Sequence, residues 1–536
     1  MAIVNQKLWK AACGVALLGS VALMTRAAGE DPLAQITGGQ IKGRMMPSGG
    51  AVFKGVPFAA PPVGDLRWRD PAPVKPWTGV REAVDFGPSC VQGNGGPPRA
   101  GQDYKEDCLY LNLWAPEWPA KSPHPVMVWL YGGGNFAGLA SVDYLDGTSF
   151  SRRGIVLITI NYRVGILGFL AHPGLTAESK HHTSGNYGLL DQLAALKWVH
   201  ENIAKFGGDP GNVTLFGQSA GGVDTAYMVT SPLSKGLIHH GIQESGSPIH
   251  PVGVLAPDEQ LGVQFAGSLK APAGAAEAVK FLRSMPALEL QKVASETLIN
   301  SDLRLWPNID GYLLPENPGL AYREGKDQPI PLITGNNAHE EARDYDLEGM
   351  KKVIKANFGS LAPRAEEFYG LANGGTGKSD PLYGDTLAQI PADTKHRCGG
   401  VAESIWRSSH NHPTYEYQFD PPIAGQPATK HTAEIPFVFG NLLPSGSMGG
   451  PYTDADRKIS HDIQTYWVNF AKTGNPNTPS LDGLPEWPKA NATTRPYLEF
   501  TLHNGPVARE MLRHEICDLY IEGLKETIPG NTAGSR

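Results

Sequence analysis

Gly217-Gln218-Ser219-Ala220-Gly221 places a serine hydroxyl at the centre of a G-x-S-x-G pattern. The apolar run Val213 to Phe216 precedes it and reads as a strand, and a helix is expected to start after Gly222. A strand, a sharp turn and a helix together push such a serine out at the end of a sheet as a nucleophile. The turn leaves no room for bulk beside the serine, and Gly217, Ala220 and Gly221 are all small. A hydroxyl attacks poorly unless a base takes its proton. The attacked carbonyl also needs hydrogen-bond donors for its developing negative charge. Upstream, the run Val126 to Tyr131 enters Gly132-Gly133-Gly134-Asn135-Phe136 directly. Glycines after a buried strand let backbone N–H groups come close to a substrate oxygen. Gly133 and Gly134 are therefore candidate donors for one half of an oxyanion hole, with the Ala220 N–H as the other half.

These groups need a sheet to hold them. Short β-branched runs recur at Val126 to Tyr131, Ile155 to Asn161, Val213 to Phe216 and Pro331 to Gly335. Helical spacing lies between them, most clearly where Leu189, Leu193, Leu196, Val199, Ile203 and Phe206 recur at steps of three or four. Strands alternating with helices predict an α/β fold, a mostly parallel sheet covered on both faces. The Ala-rich stretch from Ala256 to about Leu303 reads as a helical insertion over that sheet. The chain contains 64 Gly and 45 Pro without a period, which excludes collagen and predicts long ordered loops. No repeat or long linker divides it, so residues 28–536 are expected to form one large domain.

Lys7 and Lys10 precede an uncharged apolar run from Ala11 to Met24, and Thr25-Arg26-Ala27 offers small residues to a signal peptidase. Residues 1–27 read as a secretory signal cleaved near Ala27. The run of about 14 residues falls short of the roughly 20 that span a bilayer. The mature chain is thus expected to be secreted or periplasmic and free of the membrane. Loss of Lys7, Lys10 and Arg26 takes the net charge from −7 to −10, which argues against nucleic acid as a partner. Of 5 cysteines, Cys13 leaves with the signal, and Cys90, Cys108, Cys398 and Cys517 remain in an oxidising compartment. Four cysteines allow three pairings. The nearest-neighbour choice joins Cys90 to Cys108 and leaves Cys398 with Cys517; four buried thiols are the alternative.

The run Phe206-Gly207-Gly208-Asp209-Pro210-Gly211-Asn212-Val213-Thr214-Leu215-Phe216, followed by G-Q-S-A-G, resembles the serine signature of the type-B carboxylesterase and cholinesterase family. Glu106-Asp107-Cys108-Leu109-Tyr110-Leu111-Asn112-Leu113 resembles its second signature. Further similar blocks are Phe53 to Ala59 with Pro61 to Gly64, Asn161 to Gly165, and Tyr466 to Gly474. They span about Ile36 to about Leu524.

The resemblance implies an α/β-hydrolase fold and a Ser-Glu-His triad in that chain order. His431-Thr432-Ala433-Glu434-Ile435-Pro436-Phe437 resembles the histidine block, which makes His431 the expected general base and later general acid. Glu434 resembles a structural residue of that block. Gly335-Asn336-Asn337-Ala338-His339-Glu340-Glu341 resembles the family's G-x-N-x-D-E-G and puts Glu340 in the acid position. Two departures, His339 for Asp and Glu341 for Gly, leave Glu341 as a competitor. The resemblance also implies the disulfides Cys90–Cys108 and Cys398–Cys517, and the structural ion pairs Arg67–Glu106 and Arg163–Asp191. It implies no cofactor and no metal.

The expected partner is a small-molecule ester. Cholinesterases hold a quaternary ammonium with a tryptophan in the loop between their first two cysteines. Here Val91 to Asp107 contains no tryptophan and only Tyr104 as an aromatic, which disfavours choline esters. Arg304 and Trp306 precede a block that resembles one lining the acyl side, and Arg343 follows the acid turn. Two arginines there could attract a polycarboxylate ester such as fumonisin. The alternative class is a non-catalytic adhesion relative of the same fold. Such relatives typically lose the serine, and Ser219, Glu340 and His431 are all present.

Overall fold

The computed structural model describes residues 31–93, 103–250, 252–299, 305–341, 345–423, 425–446 and 448–528. The expected signal segment 1–27, Arg304 and Arg343 lie outside them. The framework is an 11-stranded sheet. Its strands are β1 (Arg44–Met45), β2 (Ala51–Pro57), β3 (Tyr110–Ala115), β4 (His124–Leu130), β5 (Val156–Ile160) and β6 (Gly208–Gln218), then β7 (His240–Glu244), β8 (Leu332–Asn337), β9 (Thr414–Phe419), β10 (Pro496–Thr501) and β11 (Gly505–Glu510). Their order in space is β11-β10-β9-β8-β7-β6-β4-β5-β3-β2-β1. The run from β10 to β5 is parallel throughout, as the strand–helix alternation predicts. Both margins are antiparallel: β11 on one side, and β3, β2 and β1 on the other. Short connections close β1 to β2 and β10 to β11 as hairpins, which need no crossover helix.

Two apolar layers sandwich the parallel part, and side chains alternate between them at period two. On β4, Val126, Val128 and Leu130 enter one layer while Met127 and Trp129 enter the other. On β6, Val213 and Leu215 enter the first layer and Phe216 the second. The Trp129 ring meets Phe216 at 4.9 Å and Phe439 at 5.0 Å, both edge to face. The strands read as unbroken apolar runs because neither face meets water.

Helix α1 (Tyr187–Asn202) continues as a 3₁₀ turn over Ile203–Phe206, so the apolar stripe read from sequence covers both pieces. Helix α2 (Ala220–Thr230) begins immediately after Ser219, three residues earlier than the sequence suggests. The expected insertion contains α3 (Leu255–Ser268), α4 (Ala275–Ser284) and α5 (Ala287–Ala294). Among the described residues no helix is long and apolar enough to cross a membrane.

Parallel register lines up the carboxyl ends of the central strands. Gly217 pairs with Leu130, Gln218 with Glu244, and Glu244 with Gly335. The chain therefore leaves β4, β6, β7 and β8 on one side of the sheet. The loops that follow carry the candidate chemistry.

Candidate active site

Ser219 joins β6 to α2 with φ 56° and ψ −122°, a conformation that costs a non-glycine residue free energy and belongs to a sharp elbow. Its N–H donates to the Glu244 carbonyl at 2.8 Å, which ties the turn to β7. The glycines beside it are required by contact. A Cβ on Gly217 would stand 2.4 Å from the Gly221 carbonyl oxygen, and one on Gly221 would stand 2.1 Å from that of Leu130.

The glycine loop leaves β4 and runs against this elbow. A Cβ on Gly132 would lie 2.8 Å from the Ser219 Cβ. Gly133, Gly134 and Asn135 follow with φ of 114°, 63° and 59°, so left-handed backbone is needed at each. The sequence meets that need with two glycines and with asparagine, which tolerates it best among the others.

Glu340 lies three residues past β8 and is buried. One carboxylate oxygen, Oε1, accepts hydrogen bonds from Ser245 Oγ at 2.7 Å and from the Asn337 N–H at 2.8 Å. The other, Oε2, lies 2.5 Å from His431 Nδ1. Burial opposes ionisation of this carboxyl, but the His396 and His431 imidazoles and these hydrogen bonds overcome it and hold its pKa down at about 2. Burial likewise pulls the His431 imidazole down. The Glu340 carboxylate more than offsets that, and the net direction is upward from 6.5. Glu341, the competing carboxylate, turns instead to Lys395 at 3.7 Å and is 37% exposed. The structure thus brings His431 to Glu340.

The far ring nitrogen of His431 has an unexpected neighbour. Its Nε2 lies 3.3 Å from Gln218 Nε2, and among the described residues no hydrogen bond joins it to Ser219 Oγ. Ser219 and His431 nevertheless line the same cavity, of about 810 Å³, together with Gly133, Gly134 and Ala220. Before substrate enters, such catalytic hydrogen bonds are often long.

Trp306 lines this cavity, with its ring between Phe136 at 6.3 Å and His250 at 4.9 Å. His396, which sequence reasoning missed, sits on the π-helical turn Asp393–Arg397. Its ring centre is 4.8 Å from that of His431, and its Nδ1 donates to the Ser245 carbonyl at 2.8 Å. Burial lowers its pKa to about 4, so it is neutral at pH 7. One potential ligand atom each from Glu340, His396 and His431 lie within 4.8 Å of one another. The 2.5 Å contact between Glu340 Oε2 and His431 Nδ1 is a direct hydrogen bond. It is too short for those two atoms to be neighbouring ligands of one ion at the usual 2 Å or so from each.

The framework pairs form as the family resemblance implies. Arg67 grips Glu106 through two contacts of 2.6 Å, and Arg163 grips Asp191 at 2.8 and 2.7 Å. Disulfides close Cys90 to Cys108 and Cys398 to Cys517.

Comparison with known proteins gives the family. The chain is 37% identical over 500 residues to a fumonisin B1 esterase of Sphingopyxis macrogoltabida, covering 88% of this chain and 87% of that one. It is 35% identical over 489 residues to a para-nitrobenzyl esterase of Bacillus subtilis (strain 168), covering 87% and 95%. Two solved structures of PNB esterase superpose with TM-scores of 0.79 and 0.78 at 31% and 32% identity, over 91% of this chain and 99% and 100% of theirs. The carboxylesterase family matches residues 30–519. The fold is that of the α/β-hydrolases, and the chain belongs to the carboxylesterase family, as a carboxylic ester hydrolase.

Proposed function

We propose that this hydrolase works through Ser219, His431 and Glu340 and passes through an acyl-enzyme. The observation that carries the reading is the short contact from the buried Glu340 to His431, which lines the same cavity as the Ser219 elbow. Glu340 accepts a hydrogen bond from the Nδ1–H, which keeps that proton on Nδ1 and the lone pair of His431 on Nε2. Ser219 Oγ attacks the ester carbonyl as its proton passes to Nε2. The N–H groups of Gly133, Gly134 and Ala220 receive the oxyanion. When the tetrahedral adduct collapses, the C–O bond to the alcohol breaks and His431 returns the proton to the departing oxygen. Water then attacks the acyl-enzyme, giving one proton to His431, which passes it to Ser219 Oγ as the acid leaves. Replacing Ser219 by alanine should lower turnover by about 10⁶, as in a dissected serine hydrolase. Retention of most activity would exclude the scheme.

The preferred ester is a small non-choline carboxylic ester, supported by the absence of tryptophan from Val91 to Asp107. Acetylthiocholine turnover that rivals the best phenyl ester would contradict this. A second reading, a polycarboxylate ester such as fumonisin, is favoured by the 37% identity to a fumonisin B1 esterase. Hydrolysis of a neutral ester and its carboxylated analogue at low and high salt separates the two, because a charge-driven preference weakens with salt. Export through cleavage near Ala27 is supported by the two disulfides, which suit an oxidising compartment. The mass of the mature chain tests it.

A further inference from the structure

The two halves of the oxyanion hole stand on different elements. Gly133 and Gly134 belong to the loop after β4, and Ala220 opens α2. Nothing covalent sets their separation, yet both sets of N–H groups must meet one oxygen atom. We infer that Asp224 is a positioning residue that staples these halves together through the side chain of Asn135. The inference rests on the serine mechanism proposed above.

Asp224 lies on α2 one turn after Ala220 and is fully buried. Its Oδ1 accepts a hydrogen bond from Asn135 Nδ2 at 3.0 Å, and its Oδ2 accepts one from Gln192 Nε2 at 2.6 Å. Among the described residues no lysine, arginine or histidine forms an ion pair with it. A buried carboxyl held only by two neutral amides is expensive to keep, because desolvation is not offset by an opposite charge. Burial accordingly raises its pKa, to about 7. Packing alone gives no reason for a carboxyl at that place.

Asn135 gives one. It is buried, directly follows the two donor glycines and has φ 59°. Three successive residues in left-handed backbone make a loop that would relax without an anchor. Asn135 is held at both ends. Its carbonyl accepts from the Gly165 N–H at 2.7 Å, and its side chain donates to Asp224. The second bond runs from the glycine loop to the helix that carries the other donor. It fixes the spacing of the two donor sets before substrate arrives, and a misplacement of about 1 Å there is worth about a hundredfold in rate.

The test compares Asp224→Ala, Asn135→Gly and Asp224→Asn with wild type, using p-nitrophenyl acetate and an alkyl trifluoromethyl ketone. The serine adds to the free ketone carbonyl, which is in equilibrium with its hydrate, and the C=O π bond opens to a hemiketal oxyanion, so ketone affinity reports the hole directly. Asp224→Ala and Asn135→Gly should each lower kcat by about ten- to a hundredfold with little change in KM. Ketone affinity should fall by a similar factor. Glycine accepts the φ of Asn135, so Asn135→Gly removes the staple without new strain and serves if Asp224→Ala does not fold. Asp224→Asn should recover most of the loss. Its Oδ1 still accepts from Asn135, and Gln192 Oε1, buried without a partner, can turn to accept its amide. Wild-type kcat and ketone affinity in Asn135→Gly would overturn the inference, as would a fall in kcat with ketone affinity intact. A wild-type enzyme that the ketone fails to inhibit would overturn the serine mechanism, and the staple with it.

Discussion

Gln218 Nε2 lies 3.3 Å from His431 Nε2, the ring nitrogen that Glu340 does not hold. An N–H aimed at that lone pair favours the neutral imidazole, while Glu340 on the other side favours the imidazolium. The proposed base is therefore tuned from both ends.

The sign of the pH dependence follows. In the proposed mechanism His431 must be neutral to take the serine proton, and its pKa is raised above 6.5. In wild type kcat/KM should fall as pH drops through a value above 6.5, and reach its plateau on the alkaline side. Gln218→Glu would replace a donor by a carboxylate and move this limb upward by about one unit or more. A pH profile of each enzyme checks both statements. A limb that stays in place in Gln218→Glu would show that the amide does not bear on His431.

Glu340→Gln should cost about 10⁴ in kcat, the loss seen when a triad carboxylate becomes an amide and the histidine tautomer is wrong. Its acid limb should also move down, because the group that raises His431 is gone. Glu341→Gln should change kcat by less than about tenfold, because Glu341 is paired with Lys395 and is partly exposed. Steady-state kinetics of the two variants side by side separate the two carboxylates.

Gly221→Ala should damage both stability and activity. Its Cβ would meet the Leu130 carbonyl at 2.1 Å, and rigid backbone lies on both sides of the contact. Overpacking of this kind costs about 1–3 kcal/mol or more and would displace the Ser219 elbow. Gly267 is the contrasting position. It lies in α3, and a Cβ there meets nothing within 4 Å. Gly267→Ala should stabilise the fold by about 0.4–1 kcal/mol. Thermal melts and esterase rates of both variants check the pair.

Removing the Cys398–Cys517 bridge by a double serine replacement should destabilise the protein by about 2–5 kcal/mol, because it closes a loop with a sequence separation of 119. Cys398 directly follows the π-helical turn that holds His396. A melting curve with and without reductant measures the effect.

The elbow was legible from sequence because its constraint is local. Gly217 and Gly221 are small for reasons that lie within a few residues of Ser219 or just across one strand pair. The parallel strands were legible because burial on both faces writes itself as unbroken apolar runs. Glu340 and His431 were reached only through likeness to a family. Each is one titratable residue among many, and only the fold brings them to 2.5 Å. Ser245, His396 and Asn135 carried no signal at all. Ser245 and His396 are 151 positions apart and meet through a backbone carbonyl, which no side-chain pattern records. Asp224, the one charged residue in the helix AGGVDTAYMVT, was the one visible anomaly.

The shared register of β4, β6, β7 and β8 has a consequence for how this molecule can change. The glycine loop, the Ser219 elbow and Glu340 follow strand ends that the sheet locks to one another. Trp306 reaches the same cavity from a segment beyond the helical insertion α3–α5. Architecture of this kind lets walls be remodelled while the floor stays fixed. New ester selectivity can arise by exchanging side chains such as Trp306, without renegotiating the bond-breaking step beneath them.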